Sequence, residues 1–301
     1  MAIRFNFDRF KQSTRDLRFL KELDEYAETK PYYISGSLST SANIPHTNIQ
    51  YQMVQHVPLV NLRGQENLLS VDKHGFEIMP VPKDIVGLDI KDIDKDKYIR
   101  RMAAALKDHL DASFVLCYDY RFRSSDAIQR DLSHDTLVGT SKLPDSPAEV
   151  AHIDHTPVGA RRRARRHLTE AEAENYLGAD ATYTNSLPYS IWKPLKVVQD
   201  FDLLYCDFSS IQPDDIVAVD RVSSEYAGEV YMLRPREHYE WYWIDNQRPD
   251  EASLFVSYDS APNLGGAAYC PHASGKNLDA LPTAPPRESI ELRMLVFSRP
   301  T

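Results

Sequence analysis

Two histidines and one aspartate in this chain have the types and the spacing of a metal site. His152 and Asp154 are two residues apart, so in an extended strand both side chains point to the same face and can offer a ligand atom to one ion. His272, more than a hundred positions later, is the best candidate for a third ligand. Two histidines and one carboxylate leave positions on Fe(II) open for a co-substrate and for dioxygen. The spacing therefore predicts a non-haem iron centre.

Arg287 and Ser289 could hold the carboxylate of such a co-substrate. They alternate with Glu288 at the start of the last predicted strand, so they share one face. An arginine fork donates two charge-assisted hydrogen bonds to a carboxylate, each worth roughly 1.5–3 kcal/mol, and a serine hydroxyl adds a third donor. The pair is expected to bind a dicarboxylate.

Two further arginines allow a structural or a binding interpretation. Arg293 lies further along the face that carries Arg287 and is an alternative anion partner, the structural interpretation being a salt bridge to Glu291, Glu288 or Asp154. Arg123 ends a strongly apolar strand, where a structural ion pair is a commoner finding than a contact with substrate.

Bulky and ring side chains beside these motifs also have two interpretations. Tyr239, Trp241 and Trp243 alternate along one strand, which suits either core packing or the wall of an apolar substrate pocket. His155 faces away from the two ligands next to it and is interpreted as structural.

Short apolar runs separated by Pro, Gly, Asp and Asn turns recur from residue 113 onward. They indicate eight or more β-strands, as in a sandwich or jelly roll whose two sheets enclose a cavity. We therefore expect a mainly β fold in which residues 112–301 form the catalytic core, with an insertion near 160–180. Residues 1–111 are expected to be a helical and mixed segment that packs on this core within one integrated domain.

Three segments have helical patterns. Residues 14–28 place leucines near one side and charges around the rest, which predicts an amphipathic surface helix. Residues 97–110 are alanine-rich, with apolar positions at helical spacing. In the insertion, a basic run at 161–166 precedes a helix with Thr169 and Glu172 in capping-box positions. The basic run is interpreted as a solvated flank or lid, the alternative being a guide for an anionic substrate.

The composition indicates which kind of binding partner the protein has and in which compartment it is found. A net charge of -9, from 35 basic and 44 acidic residues, disfavours nucleic acid and anionic membranes and favours a small molecule. The 3 cysteines are far apart and form neither a disulfide framework nor a zinc motif, which fits a reducing compartment. The charged start lacks the apolar run of a signal peptide, and no stretch is long enough to cross a bilayer. A cytoplasmic protein of unknown oligomeric state is expected.

Eight stretches of the chain carry a resemblance to a known family: KHGFE at 73–77, YDYRFR ending at Arg123, AHIDHTPVGA at 151–160, YSIWKPL at 189–195, CDFSSIQPDDIV at 206–217, WYWIDNQRPDEASLFVSYDS at 241–260, PHASG at 271–275 and PRESIELRMLVF at 286–297. Together they resemble the Fe(II)- and 2-oxoglutarate-dependent oxygenase superfamily. Within it, they are most similar to the fungal hydroxylase/desaturase family that includes gibberellin desaturase and proteins associated with cephem methoxylation. The resemblance implies a double-stranded β-helix (jelly roll) core with flanking α-helices.

The resemblance also implies roles for the candidate residues. His152, Asp154 and His272 match the iron ligands. Arg287 and Ser289 match the pair that holds the distal carboxylate of 2-oxoglutarate. The implied activity couples decarboxylation of 2-oxoglutarate by dioxygen to oxidation of an unactivated C–H bond in a small, secondary-metabolite substrate. The outcome would be hydroxylation, desaturation or a related rearrangement.

One strand departs from the family pattern. After the insertion the family usually has Asn-x-Trp-Arg-Pro, whereas this chain has Ser190-Ile191-Trp192-Lys193-Pro194. Lysine keeps the charge of arginine and loses its bidentate fork. Ser190 and Lys193 are therefore candidate co-substrate residues whose geometry differs from that of the family.

Two other functions remain open. A cupin-like isomerase, lyase or oxidase could use the same metal ligands without 2-oxoglutarate, and a catalytically inactive jelly-roll protein could bind a ligand only. Hydrolases, kinases and dehydrogenases lack support, because the chain has no Gly-x-Ser-x-Gly elbow, no Gly-Lys-Ser/Thr loop and no Gly-x-Gly-x-x-Gly fingerprint.

Overall fold

The computed structural model describes residues 12–36, 44–87, 94–127, 144–178, 188–260, 262 and 265–298. Residues 1–11 of the predicted N-terminal segment and residues 179–180 of the predicted insertion lie outside this part of the chain. The described residues form 14 strands and 4 α-helices. The prediction of a mainly β fold is confirmed.

The strands follow one another as β1 (Gln12–Leu20), β2 (Tyr32–Ile34), β3 (Tyr51–Asn61), β4 (Phe76–Pro80), β5 (Phe114–Ser124), β6 (His152–Ile153), β7 (Tyr189–Pro194), β8 (Phe201–Cys206), β9 (Ile216–Val222), β10 (Ala227–Leu233), β11 (Trp241–Trp243), β12 (Glu251–Val256), β13 (His272–Lys276) and β14 (Glu288–Phe297). The helices are α1 (Val71–His74), α2 (Lys95–His109), α3 (Pro157–His167) and α4 (Glu170–Leu177). Short 3-10 turns cover Asp24–Ala27, Glu66–Leu68, Lys83–Ile85, Phe208–Ser210 and Pro213–Asp215. Among the described helices, none combines the length and the apolar character that crossing a membrane requires.

The strands are arranged in two sheets. The large sheet has the order β1-β3-β11-β8-β13-β6-β10-β9-β2, and the small sheet has the order β4-β12-β7-β14-β5. Neighbours such as β13 and β6 are far apart along the chain, which is the crossover pattern of a jelly roll and not of a meander. The jelly-roll prediction is confirmed. Strands from the first third of the chain extend both sheets, since β1 and β3 end the large sheet and β4 ends the small one.

The helix predicted for residues 14–28 is wrong. This segment forms β1, which pairs with β3 from Gln12 to Leu20, followed by a 3-10 turn. Arg15, Leu17 and Phe19 alternate as buried positions, which is the period of a strand. Leucines three residues apart suggested helical spacing, but pairing with a distant strand decides the local structure here.

The helix predicted at 97–110 is confirmed as α2. Tyr98, Met102 and Leu106 follow one another at helical spacing and are fully buried. They join the core cluster that covers one face of the small sheet. Helix α2 therefore covers the face of the small sheet that points away from the large sheet.

The predicted insertion forms α3 and α4. The capping box is confirmed, because the Thr169 side chain accepts from the backbone N–H of Glu172 and the Glu172 carboxylate accepts from the backbone N–H of Thr169. Ala160 and Ala164 of α3 are buried in a core cluster with the end of β14. The insertion thus packs on the jelly roll directly after the segment that contains Asp154.

Candidate metal centre

The structure brings the three predicted metal ligands to one point. His152 begins β6, His272 begins β13, and the two residues are direct partners across this strand pair. Side chains of direct partners lie on the same face, and the two imidazole rings are 4.3 Å apart between their centroids. His152 Nε2 lies 3.8 Å from Asp154 Oδ1. One ligand atom from each of the three residues lies within 4.8 Å of the others, as around a single ion.

Backbone carbonyls fix the orientation of both imidazole rings. Nδ1 of His152 is 2.7 Å from the carbonyl oxygen of Val150, and Nδ1 of His272 is 3.0 Å from that of Cys270. A ring whose Nδ1–H donates to a carbonyl presents a lone pair on Nε2, the atom that binds metal. Burial, together with the nearby charge of His272, lowers the pKa of His152 to about 3, so this ring is neutral as a ligand must be.

Asp154 is held by side chains that come from the small sheet. Its Oδ2 accepts hydrogen bonds from Ser190 Oγ at 3.0 Å and Ser257 Oγ at 3.3 Å. Its Oδ1 lies 3.3 Å from Nη2 of Arg293. Burial by itself raises the pKa of Asp154, but the positive charge of Arg293 outweighs it and keeps this pKa well below the usual range. The carboxylate is therefore ionised, as a metal ligand requires.

Arg287 and Ser289 have unused hydrogen-bonding capacity inside the protein. Both are buried, at 1% and 0% exposure. Nη1 of Arg287 donates to Ser274 Oγ at 3.1 Å and to the carbonyl of Phe201 at 3.3 Å. Among the described residues, Nε and Nη2 of Arg287 and Oγ of Ser289 have no hydrogen-bond partner.

These unpaired donors fit the carboxylate of an organic acid. A buried polar group without a partner costs roughly 1–3 kcal/mol, and more when it is charged. Burial and the charge of Arg123 lower the pKa of Arg287 to about 10, which leaves the guanidinium protonated at neutral pH. An anion that accepts from Arg287 and Ser289 would satisfy three donors at once. The donor set therefore fits a bound 2-oxoglutarate carboxylate.

A pocket joins the metal ligands to the charged residues of the small sheet. Its lining includes His152 and His272, the apolar side chains of Trp192 and Phe255, and Glu291 of β14. This lining places two metal ligands, two aromatic rings and one carboxylate around a single space.

Arg123 and Arg293 are tied to Glu291, which supports the structural interpretation of both. Nε of Arg123 is 3.2 Å from Glu291 Oε2, and Nε of Arg293 is 2.8 Å from Glu291 Oε1. Burial would raise the pKa of Glu291, but the charges of Arg293 and Arg123 lower it to about 2. Glu291 is therefore a fixed negative charge at the pocket.

The structure does not bring Lys193 to this site. On β7, Ser190 and Trp192 point to the metal side, and the period of two turns Lys193 to the opposite face. There its Nζ donates to the carbonyl of Val86 at 3.0 Å and lies 5.9 Å from the centre of the Tyr98 ring. Burial lowers the pKa of Lys193 to about 8. Lys193 thus contacts Val86 and α2 in this structure, so its co-substrate role stays a prediction, and Ser190 contacts the metal-binding carboxylate.

Other sequence candidates lie outside the pocket. Tyr239, Trp241 and Trp243 belong to the core cluster on the outer face of the large sheet, so they are core residues. His155 is buried, and its Nε2 is 2.9 Å from the hydroxyl of Tyr118, as expected for a structural histidine. Two arginines of the basic run are paired with the backbone of the insertion and its neighbours: Arg161 donates to the carbonyl of Leu177, and Arg166 to that of Glu225.

Two serines at the site were not predicted from the sequence. Ser274 follows His272 by two residues on β13, so the period of two could have identified it. Ser257 lies just beyond the end of β12, and nothing in its local sequence indicates that it reaches Asp154.

Comparison with known proteins agrees with this site. A protein family described as "Oxidoreductase/YMDC permease-like domain" matches residues 17–297. The chain is 28% identical over 270 residues to the hydroxylase/desaturase efuI of Hormonema carpetanum, covering 83% of this chain and 86% of that protein. It is 29% identical over 245 residues to the Fe(II)/2-oxoglutarate-dependent dioxygenase nvfI of Aspergillus novofumigatus, covering 78% of this chain and 80% of that protein.

A solved structure shares the fold. The iron and alpha-ketoglutarate-dependent endoperoxidase NvfI superposes with a TM-score of 0.72 at 23% identity, covering 96% of this chain and 99% of that one. A second structure of the same enzyme, in a different conformation, gives a TM-score of 0.73 at 24% identity, covering 97% of this chain and 100% of that one. The described strands therefore form the jelly roll of this class of enzyme.

Proposed function

As a member of the oxidoreductase/YMDC permease-like domain family, this chain is an Fe(II)- and 2-oxoglutarate-dependent dioxygenase, and we propose that it oxidises an unactivated C–H bond of a small organic molecule. The outcome is hydroxylation, desaturation or a related oxidative rearrangement. Relatives described as a gibberellin cluster desaturase and an aspirochlorine biosynthesis protein support a substrate from secondary metabolism. The three cysteines, all free thiols, support a reducing, cytosolic location.

In this proposal His152, Asp154 and His272 hold the iron. Two imidazoles and one carboxylate on one side of Fe(II) leave positions for a chelating co-substrate and for dioxygen. Iron and 2-oxoglutarate supply the oxidising chemistry when bound, since 2-oxoglutarate and dioxygen together give succinate, carbon dioxide and an oxidised substrate. The protein supplies the ligand geometry and the orientation of both organic molecules.

Arg287 and Ser289 are proposed to hold the distal carboxylate of 2-oxoglutarate. The observation that carries the proposal is the set of unpaired donors on these two buried side chains, beside the pocket that contains His152 and His272. Ser274 orients Arg287 by accepting from its Nη1, which leaves the other side of the fork for the carboxylate. Cζ of the Arg287 guanidinium lies 5.5 Å from the centre of the Trp192 ring, and this indole shields the guanidinium from water.

The same observation separates this function from its two rivals. A cupin-like enzyme that does not use 2-oxoglutarate would need the metal ligands. It would not explain why the buried guanidinium of Arg287 has two nitrogens without a hydrogen-bond partner among the described residues. An inactive binding protein would not explain why Nδ1 of both histidines lies at hydrogen-bond distance from a backbone carbonyl, an arrangement that leaves Nε2 for a metal. Both features follow directly from a site that binds iron and a carboxylate together.

The test is an anaerobic titration of the Fe(II)-loaded full chain with 2-oxoglutarate. We expect a visible metal-to-ligand charge-transfer band that saturates at one equivalent, and succinate formation once oxygen is admitted. Glutarate is the matched control ligand, because it has the same five-carbon chain and both carboxylates but no keto group with which to chelate iron. Iron binding without a band would favour the cupin-like enzyme, and failure to bind Fe(II) at all would favour the inactive binding protein.

A further inference from the structure

Arg123 shares one face of the small sheet with the proposed co-substrate residues. In the register of β5 and β14, Arg123 is the direct partner of Ser289, and Arg121 is the direct partner of Glu291. Side chains of direct partners in antiparallel strands lie on the same face, with Cβ atoms roughly 4.5–5.5 Å apart. Arg123 therefore begins beside Ser289, on the face that carries the pocket-lining Glu291.

Arg123 also lines the pocket that contains the two metal-binding histidines. Ser274, which accepts a hydrogen bond from Nη1 of Arg287, belongs to the same lining. Burial, followed by the charge of Arg123, lowers the pKa of Arg287, which agrees with two guanidinium groups at one end of this space. Arg123 and Arg287 thus approach the pocket from neighbouring strands.

Two of the three nitrogens of the Arg123 guanidinium have partners. Nε is 3.2 Å from Glu291 Oε2, and Nη1 donates to the carbonyl oxygen of Ser146 at 2.8 Å. Nη2 forms no hydrogen bond with any residue that the structure describes. The two contacts hold a mostly buried guanidinium in place and leave one donor nitrogen for a ligand.

This nitrogen completes a set of donors for one carboxylate. A carboxylate group has two oxygens with about four acceptor positions. Nε and Nη2 of Arg287 and Oγ of Ser289 supply three donors that have no partner among the described residues. Nη2 of Arg123, from the residue directly opposite Ser289, supplies a fourth.

We propose that Arg123 is a further co-substrate-binding residue, which donates from Nη2 to the distal carboxylate of 2-oxoglutarate. This inference rests on the proposed function, which assigns Arg287 and Ser289 to that carboxylate. Two arginines from neighbouring strands then hold one carboxylate, and the ion pair with Glu291 orients Arg123 for it. The arrangement favours a keto acid with a second carboxylate over a keto acid with an apolar end.

The other arginines on this face of β5 and β14 lack one of the two features. Arg121 lies two residues before Arg123, but its guanidinium contacts Asp119 and Asp145, and it is not part of the pocket lining. Arg293 uses all three of its nitrogens on carboxylates. Arg123 combines a place in the lining with a donor nitrogen that no described residue uses.

The experiment compares two keto acids with the same five-carbon chain. 2-Oxoglutarate and 2-oxopentanoate chelate a metal with the same keto and carboxylate groups, but only 2-oxoglutarate has a distal carboxylate. Their Kd values are read anaerobically from the charge-transfer band of the Fe(II)-loaded full chain. In Arg123→Gln the Kd for 2-oxoglutarate should rise about tenfold and the Kd for 2-oxopentanoate should stay the same, since one charge-assisted hydrogen bond is lost at the distal carboxylate alone. Arg123→Lys keeps the charge and should restore part of the loss.

Arg121→Gln is the matched control. It removes a guanidinium from the same face of β5, where it pairs with carboxylates outside the pocket lining, and it should change neither Kd. Equal rises for the two keto acids in Arg123→Gln would overturn the inference, and so would no change in either.

Glu291→Gln separates binding by Arg123 from a purely structural ion pair. Arg123→Gln and Glu291→Gln both break the ion pair between these two side chains. A structural role alone predicts that the two variants raise the Kd for 2-oxoglutarate together. Our proposal predicts no rise in Glu291→Gln, because the glutamine oxygen can still accept from Nε of Arg123 and a negative charge is removed from the pocket.

The outcome is separable from that of the proposed function. A wild-type band with a Kd that is unchanged in Arg123→Gln overturns only the role of Arg123. Calorimetry with both keto acids on the metal-free full chain covers the case in which no band forms. A preference for 2-oxoglutarate that depends on Arg123 would then keep the dicarboxylate site and reject the dioxygenase assignment, and no preference would overturn both.

Discussion

The guanidinium of Arg293 lies 3.3 Å from the metal-facing oxygen of Asp154, measured from Nη2 to Oδ1. Arg293 belongs to β14 of the small sheet, and Asp154 follows β6 of the large sheet. Ser190 of β7 and Ser257 hold the other oxygen of the same carboxylate. One metal ligand of the large sheet is thus positioned by three side chains from the small-sheet side, so the geometry of the site depends on how the two sheets pack.

Removal of the Ser190 hydroxyl should weaken metal binding. Ser190→Ala deletes the 3.0 Å hydrogen bond to Asp154 Oδ2, and loss of a residue that orients a ligand typically costs about 10–100-fold in metal affinity. We expect a loss near the lower end, because Ser257 still donates to the same oxygen. The measurement is an anaerobic Fe(II) titration of the full chain.

The matched control is Ser253→Ala. Ser253 is also fully buried in the small sheet, but its hydroxyl bonds to Tyr205 and Gln247 and not to a metal ligand. It should lower folding stability without changing iron affinity. Equal iron affinities for the wild type and Ser190→Ala would show that this serine does not orient Asp154.

Ser289→Ala should weaken 2-oxoglutarate binding without lowering the folding stability. Ser289 is fully buried and its hydroxyl has no partner among the described residues, so its removal takes away an unsatisfied polar group. We expect the melting temperature of the metal-free protein to be unchanged or higher. The Kd for 2-oxoglutarate, read from the charge-transfer band, should rise about tenfold because one donor to the carboxylate is lost.

Arg287→Gln should raise the same Kd further, by about a hundredfold, since it removes the charge and the fork together. Arg248→Gln is the surface control and should leave the Kd unchanged. A Kd unaffected by both Ser289→Ala and Arg287→Gln would place the 2-oxoglutarate carboxylate elsewhere.

The parts of the site that the sequence predicts are pairs of residues two apart at the end of a strand. His152 and Asp154 form such a pair at the end of β6, and Arg287 and Ser289 form one at the start of β14. His272 was the best candidate for the third ligand and also matches the iron ligands of the resembled family, and its direct pairing with His152 explains why it fits.

The sequence says least where contacts between distant segments decide the structure. The apolar pattern of residues 14–28 suggested a helix, but pairing with β3 makes Gln12–Leu20 a strand. Lys193 matched a family position, yet it lies on the face of β7 that packs toward α2, which the sequence pattern does not reveal. Ser257 reaches Asp154 only because β12 pairs beside β7. Such positions follow from tertiary packing and carry no local signal.

The contact between Glu77 of β4 and His109 of α2 should make stability depend on pH. The hydrogen bond to Glu77 raises the pKa of His109 above 6.5. Burial tends to raise the pKa of Glu77, but the hydrogen bond from His109 brings it below 4.5 overall. The raised histidine pKa stabilises the fold at pH values below about 6.5, and this contribution is lost as pH rises through the folded-state value. The lowered pKa of Glu77 stabilises the fold at pH values above about 4.5, and this contribution is lost as pH falls through the folded-state pKa of Glu77. The pair therefore contributes most between about pH 4.5 and 6.5.

His109→Gln tests this dependence by denaturant unfolding. The variant should be less stable than the wild type by on the order of 0.5–1 kcal/mol at pH 5.5, and the difference should shrink by pH 8.5. Lys107→Gln is the control, because it removes an exposed charge from the same turn of α2 without a group that titrates in this range. A difference of equal size at both pH values would mean that His109 acts through packing and not through its charge.

Gly159→Ala should show whether helix α3 supports the metal centre. A Cβ at Gly159 would lie 2.1 Å from the backbone carbonyl oxygen of Glu229 on β10, so α3 would have to move away from the sheet. Overpacking of this kind costs typically 1–3 kcal/mol. The backbone N–H of Gly159 also donates to the side chain of Thr156, which caps α3 only two residues after Asp154. We therefore expect a lower melting temperature and weaker Fe(II) binding together.

Gly87→Ala is the matched control, since a Cβ there meets no atom within 4 Å and should change neither property. If Gly159→Ala lowers stability but leaves iron affinity unchanged, the insertion is a flank of the jelly roll and does not position Asp154.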